Sequence, residues 1–229
     1  MNISLENQKL SLLCDRALFW PDQRALFVAD LHLGKANHFQ THGLPIPDPA
    51  AHDLARLARL THQTDATNLY LLGDLFHSPS GNTTSLLTLL RSFFNQHHHL
   101  KTILIRGNHD PLPHQLRDPL PLTILDSIDL PPFRLAHKPP HPQNTNATPA
   151  KTPYVLSGHT HPAISLRPQK PHRRLTAPCF HITPSHTILP AFGSFTGTHP
   201  VLPSTNDRII AVADHVLTEI PPTLWPTKN

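Results

Sequence analysis

Four short motifs could do chemistry, and they come in a fixed order: Asp30-Leu31-His32, Gly73-Asp74, Gly107-Asn108-His109-Asp110 and Gly158-His159-Thr160-His161. Each places carboxylate, amide or imidazole groups where an apolar run breaks. Together they carry enough oxygen and nitrogen ligands for two divalent ions. Asp30 with His32, and His159 with His161, are pairs two residues apart. In an extended exit from a strand both members of such a pair point the same way, so both reach one ion. Asp74 has two carboxylate oxygens and suits a bridging position, and Asn108 offers a neutral amide oxygen. The set suits Mn, Fe, Zn or Mg more than a soft metal. With no Cys beside any motif, the pattern argues against a thiolate zinc site. Two ions roughly 3.5–4 Å apart polarise a phosphoryl oxygen and generate hydroxide from water near neutral pH. That chemistry hydrolyses phosphoesters by in-line attack, and it needs a proton donor for the leaving oxygen. His109 follows a ligand directly, and histidine is readily tuned to donate near pH 7. Asp110 either orients His109 or caps the next turn.

The elements that must position these residues are legible in the apolar pattern. Leu10 to Leu13 and Ala17 to Trp20 read as short strands. Ala25 to Ala29, Asn68 to Leu72 and Thr102 to Ile105 are continuous apolar runs, as expected of strands buried on both faces. Each ends at one of the polar motifs. Asp48-Pro49 reads as a helix start, an N-cap followed by proline in the first turn, with helix to about His62. Ser85 to Phe94 carries a wide apolar stripe at helical spacing. Strand, helix, strand, helix, strand implies a parallel sheet with crossover helices, and ligands of such sheets sit beyond the carboxyl ends of the strands. The second half changes character. Phe133 to Ala136, Tyr154 to Leu156, Thr187 to Leu189, Ile209 to Ala213 and Val216 to Ile220 read as short strands of a second, mostly antiparallel sheet. Residues 138–152, rich in Pro, Asn and Thr, read as an exposed loop.

At 229 residues the chain is long enough for one large domain, taken here as 1–229, with a real core. It contains 20 His and 27 Pro against 8 Gly, so most histidines lie outside any ligand set. His97-His98-His99 reads as a solvated helix end; His77 is either a support of the site or a surface residue. Cys14 and Cys179 read as buried free thiols rather than a disulfide framework. The first residues lack a basic stretch followed by a long apolar one, and no run is long enough to span a bilayer, so a cytoplasmic protein is expected. The net charge of +4 permits a phosphate-rich partner without demanding one. Lys35 is either a contact to substrate phosphate or a solvated lysine. Arg106 lies either near the site or in a structural ion pair. Residues 172–174, His-Arg-Arg, form a small basic cluster that either tracks a nucleic-acid backbone or is an exposed face. Aromatic residues are few, and no stacking platform for single strands is visible.

The four motifs in this order resemble those of the calcineurin-like metallophosphoesterases. That family has one further ligand, a lone His after a strand, which His137 in Phe133-Arg134-Leu135-Ala136-His137 matches. The resemblance implies that Asp30, His32, Asp74 and His161 hold one ion and that Asp74, Asn108, His137 and His159 hold the other. It implies an α/β fold, a four-layer α/β/β/α sandwich of two mixed sheets flanked by helices. The blocks Val28 to Lys35, Gly43 to Pro47, Leu72 to Ser78, Pro178 to Phe180 and Leu189 to Gly197 narrow the likeness to the bacterial ligase-associated DNA damage response metallophosphoesterases. For that subgroup the expected activity is manganese-dependent cleavage of DNA phosphodiesters, as a single-stranded DNA endonuclease in repair. An ATP-dependent DNA ligase and a helicase are the implied partners. Thr198 stands where the subgroup has a second glycine. Other substrates in keeping with the motifs are a small nucleotide or a lipid-linked phosphoester; the non-enzymatic reading is a metal-bound scaffold for the ligase or helicase. No apolar cap is inserted between Gly107 and His137, which leans toward DNA.

Overall fold

In the computed structural model, which describes residues 1–41, 43, 46–78, 81, 83–110, 120–140, 153–166 and 175–226, two sheets face each other. In the first, β1 (Asn2–Leu5), β2 (Gln8–Leu13), β3 (Ala17–Trp20) and β4 (Ala25–Val28) form an antiparallel meander. β4 then runs parallel to β5 (Asn68–Leu71), β6 (Lys101–Ile105) and β7 (Thr123–Leu125) in that order. The crossovers carry α1 (Lys35–Thr41) and α2 (Ala50–Gln63) between β4 and β5, and α3 (Thr84–Gln96) between β5 and β6.

The second sheet contains β8 (Ser127–Leu130), β9 (Phe133–Ala136), β10 (Tyr154–Ser157), β11 (Pro162–Leu166), β12 (Leu175–Ile182), β13 (His186–Ile188), β14 (His199–Pro200), β15 (Arg208–Ala213) and β16 (Val216–Glu219). Their order is β14-β11-β12-β13-β10-β9-β8, with β15 on β12 and β16 on β15. This sheet is mixed: β10 runs parallel to both β9 and β13, and β11 to β14, while the remaining pairs are antiparallel.

The continuous apolar runs exist because both faces of the central strands are covered. Phe27, Tyr70, Leu72, Ile103 and Ile105 point into the space between the sheets, against Phe133, Leu135, Leu156, Phe180 and Ile210. Their neighbours Leu26, Val28, Leu69, Leu71 and Leu104 point the other way, against Leu54, Leu57 and Leu60 of α2 and Leu86, Leu90, Phe93 and Phe94 of α3. The period-two alternation of strand side chains assigns the two faces. Each such fully buried Leu or Phe contributes about 1.5–3 kcal/mol of transfer free energy. Among the described residues no α-helix covers the outside of the second sheet. Its apolar layer is Ile164, Cys179, Ile209, Ile220 and Trp225.

Several boundaries differ from the sequence expectation. α2 begins at Ala50, with Pro49 at the cap position; Asp48 still serves the start, since its Oδ1 accepts from the Ala50 amide at 3.0 Å. The eight-residue β12 and the seven-residue α1 have no clear signal in the pattern. β12 contains Pro178, which is tolerated where the strand changes partners: Pro178 pairs with Ala163, and pairing with β15 begins one residue later at Cys179. Cys179 is a buried free thiol and Cys14 a half-buried one. Among the described residues no helix is long and apolar enough to cross a membrane. Residues 141–152 of the proline-rich loop, the 172–174 cluster, and residues 111–119 between Gly107 and His137 lie outside the described residues.

Candidate metal centre

The polar motifs all follow carboxyl ends of strands, Asp30 and His32 after β4, Asp74 after β5, Asn108 and His109 after β6, His137 after β9, and His159 and His161 after β10. The loops are laced together. Asp30 N donates to Gly73 O at 3.1 Å and His32 N to Asp74 O at 2.9 Å, which extends the β4–β5 pairing past the strand ends. Gly158 N donates to His137 O at 3.1 Å, and His159 N donates to Asp30 Oδ2 at 2.8 Å, joining the two sheets. Backbone pairing thus brings seven expected ligands from five loops to one place.

They converge as two groups that share Asp74. Candidate ligand atoms of Asp30, His32, Asp74 and His161 lie within 4.8 Å of one another, and so do those of Asp74, His137 and His159. In the first group His32 Nε2 is 3.2 Å from His161 Nε2 and 3.7 Å from Asp74 Oδ2. Asp30 Oδ1 is 3.7 Å from His161 Nε2. In the second, His137 Nε2 is 3.5 Å from Asp74 Oδ2, 3.0 Å from His159 Nδ1 and 3.1 Å from Asn108 Oδ1. The same oxygen, Asp74 Oδ2, faces both groups.

The backbone that presents them is strained. Asp30, His32, Asp74, His159 and His161 all have left-handed φ, at 54°, 47°, 47°, 74° and 48°. Asp and His visit this region more than most residues, yet each visit costs about 1–2 kcal/mol. Such strain gathers at ligand clamps, where the surroundings over-determine it. The expected extended exit for the Asp30/His32 and His159/His161 pairs is therefore corrected: the pairs converge through left-handed turns. Two glycines make room. A Cβ on Gly73, itself at φ +84°, would run into the His137 ring, and one on Gly107 would run into Asp74 Oδ1.

The donor set fits divalent cations on three counts. Asp30 Oδ1 is buried without a hydrogen-bond partner. Two pairs of imidazole nitrogens face each other at 3.0–3.2 Å, an approach that a shared cation would satisfy. Finally, two carboxylates are almost fully buried with no Lys or Arg paired to them among the described residues, Asp30 at 0% and Asp74 at 2% exposure, and buried charge needs a counter-charge. Without one, burial raises the Asp30 pKa above the ordinary carboxylate value, partly offset by His161 and His137. Burial, then the neighbouring His161, His109 and His77, pushes His32 down to about 2. Burial, then His137, lowers His159. These imidazoles stay neutral, the form that ligates metal. The Nδ1 of His137 is 3.1 Å from Leu72 O; donation there leaves Nε2 as the lone-pair nitrogen.

The other expected site residues divide. His109 is exposed, its N–H donates to Asp74 Oδ1 at 3.0 Å, and its ring lies 5.2 Å from that of His32. Asp110 spends both oxygens on backbone amides before it in the chain: Oδ2 accepts from Gly107 N at 2.8 Å and Oδ1 from Phe76 N at 3.1 Å, while the turn after it lies outside the described residues. It ties the Asn108 loop to the Asp74 loop, and burial raises its pKa. Arg106 lies in the ion-pair alternative, with Nη2 2.6 Å from Asp126 Oδ1. Lys35, half-buried, stands 5.4 Å from the Phe195 ring centroid. His77, left open by the sequence, stacks on His109 at 5.7 Å and meets the edge of His32 at 5.6 Å.

One supporting group was missed. Phe192 N donates to Ala29 O at 2.7 Å and Gly193 N to Asp30 O at 3.2 Å, so residues 191–194 hold the backbone of Asp30. α2 grips that loop in turn. Buried Asp53 accepts from Ser194 N at 2.9 Å, and the Arg56 guanidinium stacks 4.0 Å above Phe192 while donating to Ser194 Oγ and Phe192 O. The one sequence signal for it, Asp53 and Arg56 one helical turn apart, is indistinguishable from an ordinary surface ion pair.

Comparison with known proteins agrees with this geometry. Residues 23–134 match the family model described as calcineurin-like phosphoesterase. The structure is similar to that of the nuclease MPE from Pseudomonas putida, with 34% sequence identity, a TM-score of 0.75, and coverage of 96% of this chain and 99% of that one. Yfce, a phosphoesterase from E. coli, is a looser match at 19% identity and TM-score 0.43, covering 86% of this chain and 97% of its own. No curated protein matches. With a relative at this identity matched over nearly its whole length, and with the family model ending just before the loops that add His137, His159 and His161, the chain belongs to the calcineurin-like phosphoesterases and is a hydrolase of phosphoester bonds.

Proposed function

We propose that this chain cleaves phosphodiester bonds of DNA, single-stranded DNA foremost, with two divalent ions of the Mn class. Asp30, His32, Asp74 and His161 would hold one ion, and Asp74, Asn108, His137 and His159 the other. Ions at such a site supply Lewis-acid polarisation of the phosphoryl oxygen and a more acidic water. The observation that carries the reading is Asp74, whose Oδ2 faces both groups while its Oδ1 accepts the His109 amide. That bond fixes His109 at the rim, where its exposed imidazole can give a proton to the leaving oxygen. Asp110 keeps the loop in place by filling the Gly107 and Phe76 amides. The DNA substrate is supported by the likeness to a nuclease. A cytoplasmic repair role with an ATP-dependent ligase and a helicase belongs to the same reading.

The test incubates metal-stripped protein with Mn and either circular single-stranded DNA or a small aryl phosphodiester, beside a His109→Ala variant. Linearisation of the circle by the parent protein and a loss of about 10²-fold or more in the variant, in the range of general-acid contributions, is expected. Hydrolysis of the aryl diester with the circle intact would leave a phosphodiesterase and overturn the DNA substrate.

A further inference from the structure

Beside the first ligand group lies a shallow, open depression whose lining includes His32, Lys35, Asp48, Asp53 and Phe195. It shares His32 with the candidate metal centre. Three features of its wall are unexplained by metal binding. Lys35 is half-buried, and among the described residues no carboxylate lies within ion-pair distance of it. The nearest acidic wall residues are committed elsewhere, Asp48 Oδ1 to the Ala50 amide and Asp53 to Ser194 and Arg56. Phe195 is half-buried rather than packed in the core, with Lys35 Nζ 5.4 Å from its centroid and the Phe39 ring edge-on at 5.8 Å. Its position is rigid, because the preceding Ser194 is gripped by Asp53 and Arg56.

A lysine with no ion-pair partner among the described residues, next to a partly exposed aromatic ring, matches the alternating chemistry of a polynucleotide: a phosphate, then a base with a π-face. We propose that Lys35 and Phe195, backed by Phe39, form a subsite for the nucleotide flanking the scissile phosphate of a single strand. Lys35 takes the flanking phosphate and Phe195 stacks the flanking base. The proposal rests on the DNA reading above and deepens it. Only an unpaired base presents its face to such a ring, so the subsite selects single strands over duplex and tolerates any sequence. Two phenylalanines far apart in sequence would then supply a stacking surface that the sequence pattern does not reveal.

The experiment compares kcat/KM of the Mn-loaded protein on short single-stranded oligonucleotides that carry either normal bases or abasic sugars around the cleavage point. The parent protein should prefer the base-bearing strand by roughly tenfold, the scale of one base–aromatic stack. Phe195→Leu should bring that ratio close to one, and Phe195→Tyr should restore it. Lys35→Met should flatten the salt dependence of oligonucleotide binding by about one ion released, read by fluorescence anisotropy without turnover. A Phe195→Leu protein that keeps the parent's base preference would overturn the subsite while leaving the nuclease reading intact. A parent that cleaves neither strand yet hydrolyses an aryl diester would overturn the DNA reading, and the subsite with it.

Discussion

Asp30, His32 and His161, the unshared ligands of the first group, all reach their common point from left-handed backbone, whereas in the second group only His159 does, and His137 and Asn108 reach theirs from ordinary backbone. The first set is aimed by main-chain geometry. Its turns are held by amide bonds such as Gly193 N to Asp30 O and His32 N to Asp74 O. The second set is aimed mainly by side-chain hydrogen bonds, His137 to Leu72 O and Asp110 to the Gly107 amide, and by the clearance at Gly73. The difference teaches that the two ion positions depend on different parts of the molecule. One leans on the 191–194 loop and α2, the other on the short link between the Asp74 and Asn108 loops.

Asp74 is the point at which the comparison must collapse, since it belongs to both groups. Asp74→Asn keeps the shape and removes the charge. Activity should fall by roughly 10³-fold, about 4 kcal/mol of lost electrostatic stabilisation, and both ions should be lost in calorimetric titration with Mn. His159→Ala should lose only one. A variant that still binds two ions with parent affinity would end the bridging assignment.

Two milder changes separate the groups. Asp110→Ala leaves the buried amides of Gly107 and Phe76 without acceptors, at about 1–3 kcal/mol each, and frees the Asn108 loop. Arg56→Ala removes the stack on Phe192 and loosens the loop under Asp30. Each should weaken metal binding by about 10- to 100-fold, the usual cost of removing an outer support. Asp110→Ala should act more on the ion shared by His137 and His159, Arg56→Ala on the ion at Asp30. Two-site Mn titrations read this directly, and Arg56→Lys, which keeps charge but not the planar stack, should rescue little. Both variants weakening the same ion would show that the supports are not separate.

Most of the ligands were legible because they follow apolar runs whose burial on both faces leaves a continuous signal, as in Ala25–Val28 and Asn68–Leu71, whereas the lone His137 was legible only through the family resemblance. The supports were less legible because they are non-local. Ser194 meets Asp53 across 141 positions of chain, and nothing near either residue announces it. The left-handed turns at Asp30 and His32 were hidden for another reason: neither is glycine, so the pattern suggested an extended exit. Asp110 illustrates the limit of motif reading. Adjacent to His109, it was as good a candidate for orienting that ring as for capping the next turn, and its buried bonds go instead to the Gly107 and Phe76 amides before it in the chain. β12 was obscured by Pro178, whose position at a change of partners is a property of the sheet rather than of the segment.

The smallest expected effect tests whether neutral imidazoles at the centre owe their state to ligand duty. His186 provides the contrast: it lies in β13, away from both ligand groups, and burial, then His181, lowers its pKa below 6.5. Above pH 6.5 the native and unfolded forms of this side chain are both neutral, and it adds no pH dependence. As pH falls below 6.5 the unfolded chain takes up a proton that the native imidazole resists, so stability falls until the lower native value is passed. This loss should be the same with and without Mn, because no ion contacts His186. The part due to the centre should change, because bound metal competes with protons for His32 and His159. Urea midpoints at pH 7.5 and pH 5.5 resolve the two. His186→Gln should flatten the pH dependence equally in both metal states, and a flattening seen only with Mn would tie His186 to the centre and remove the contrast.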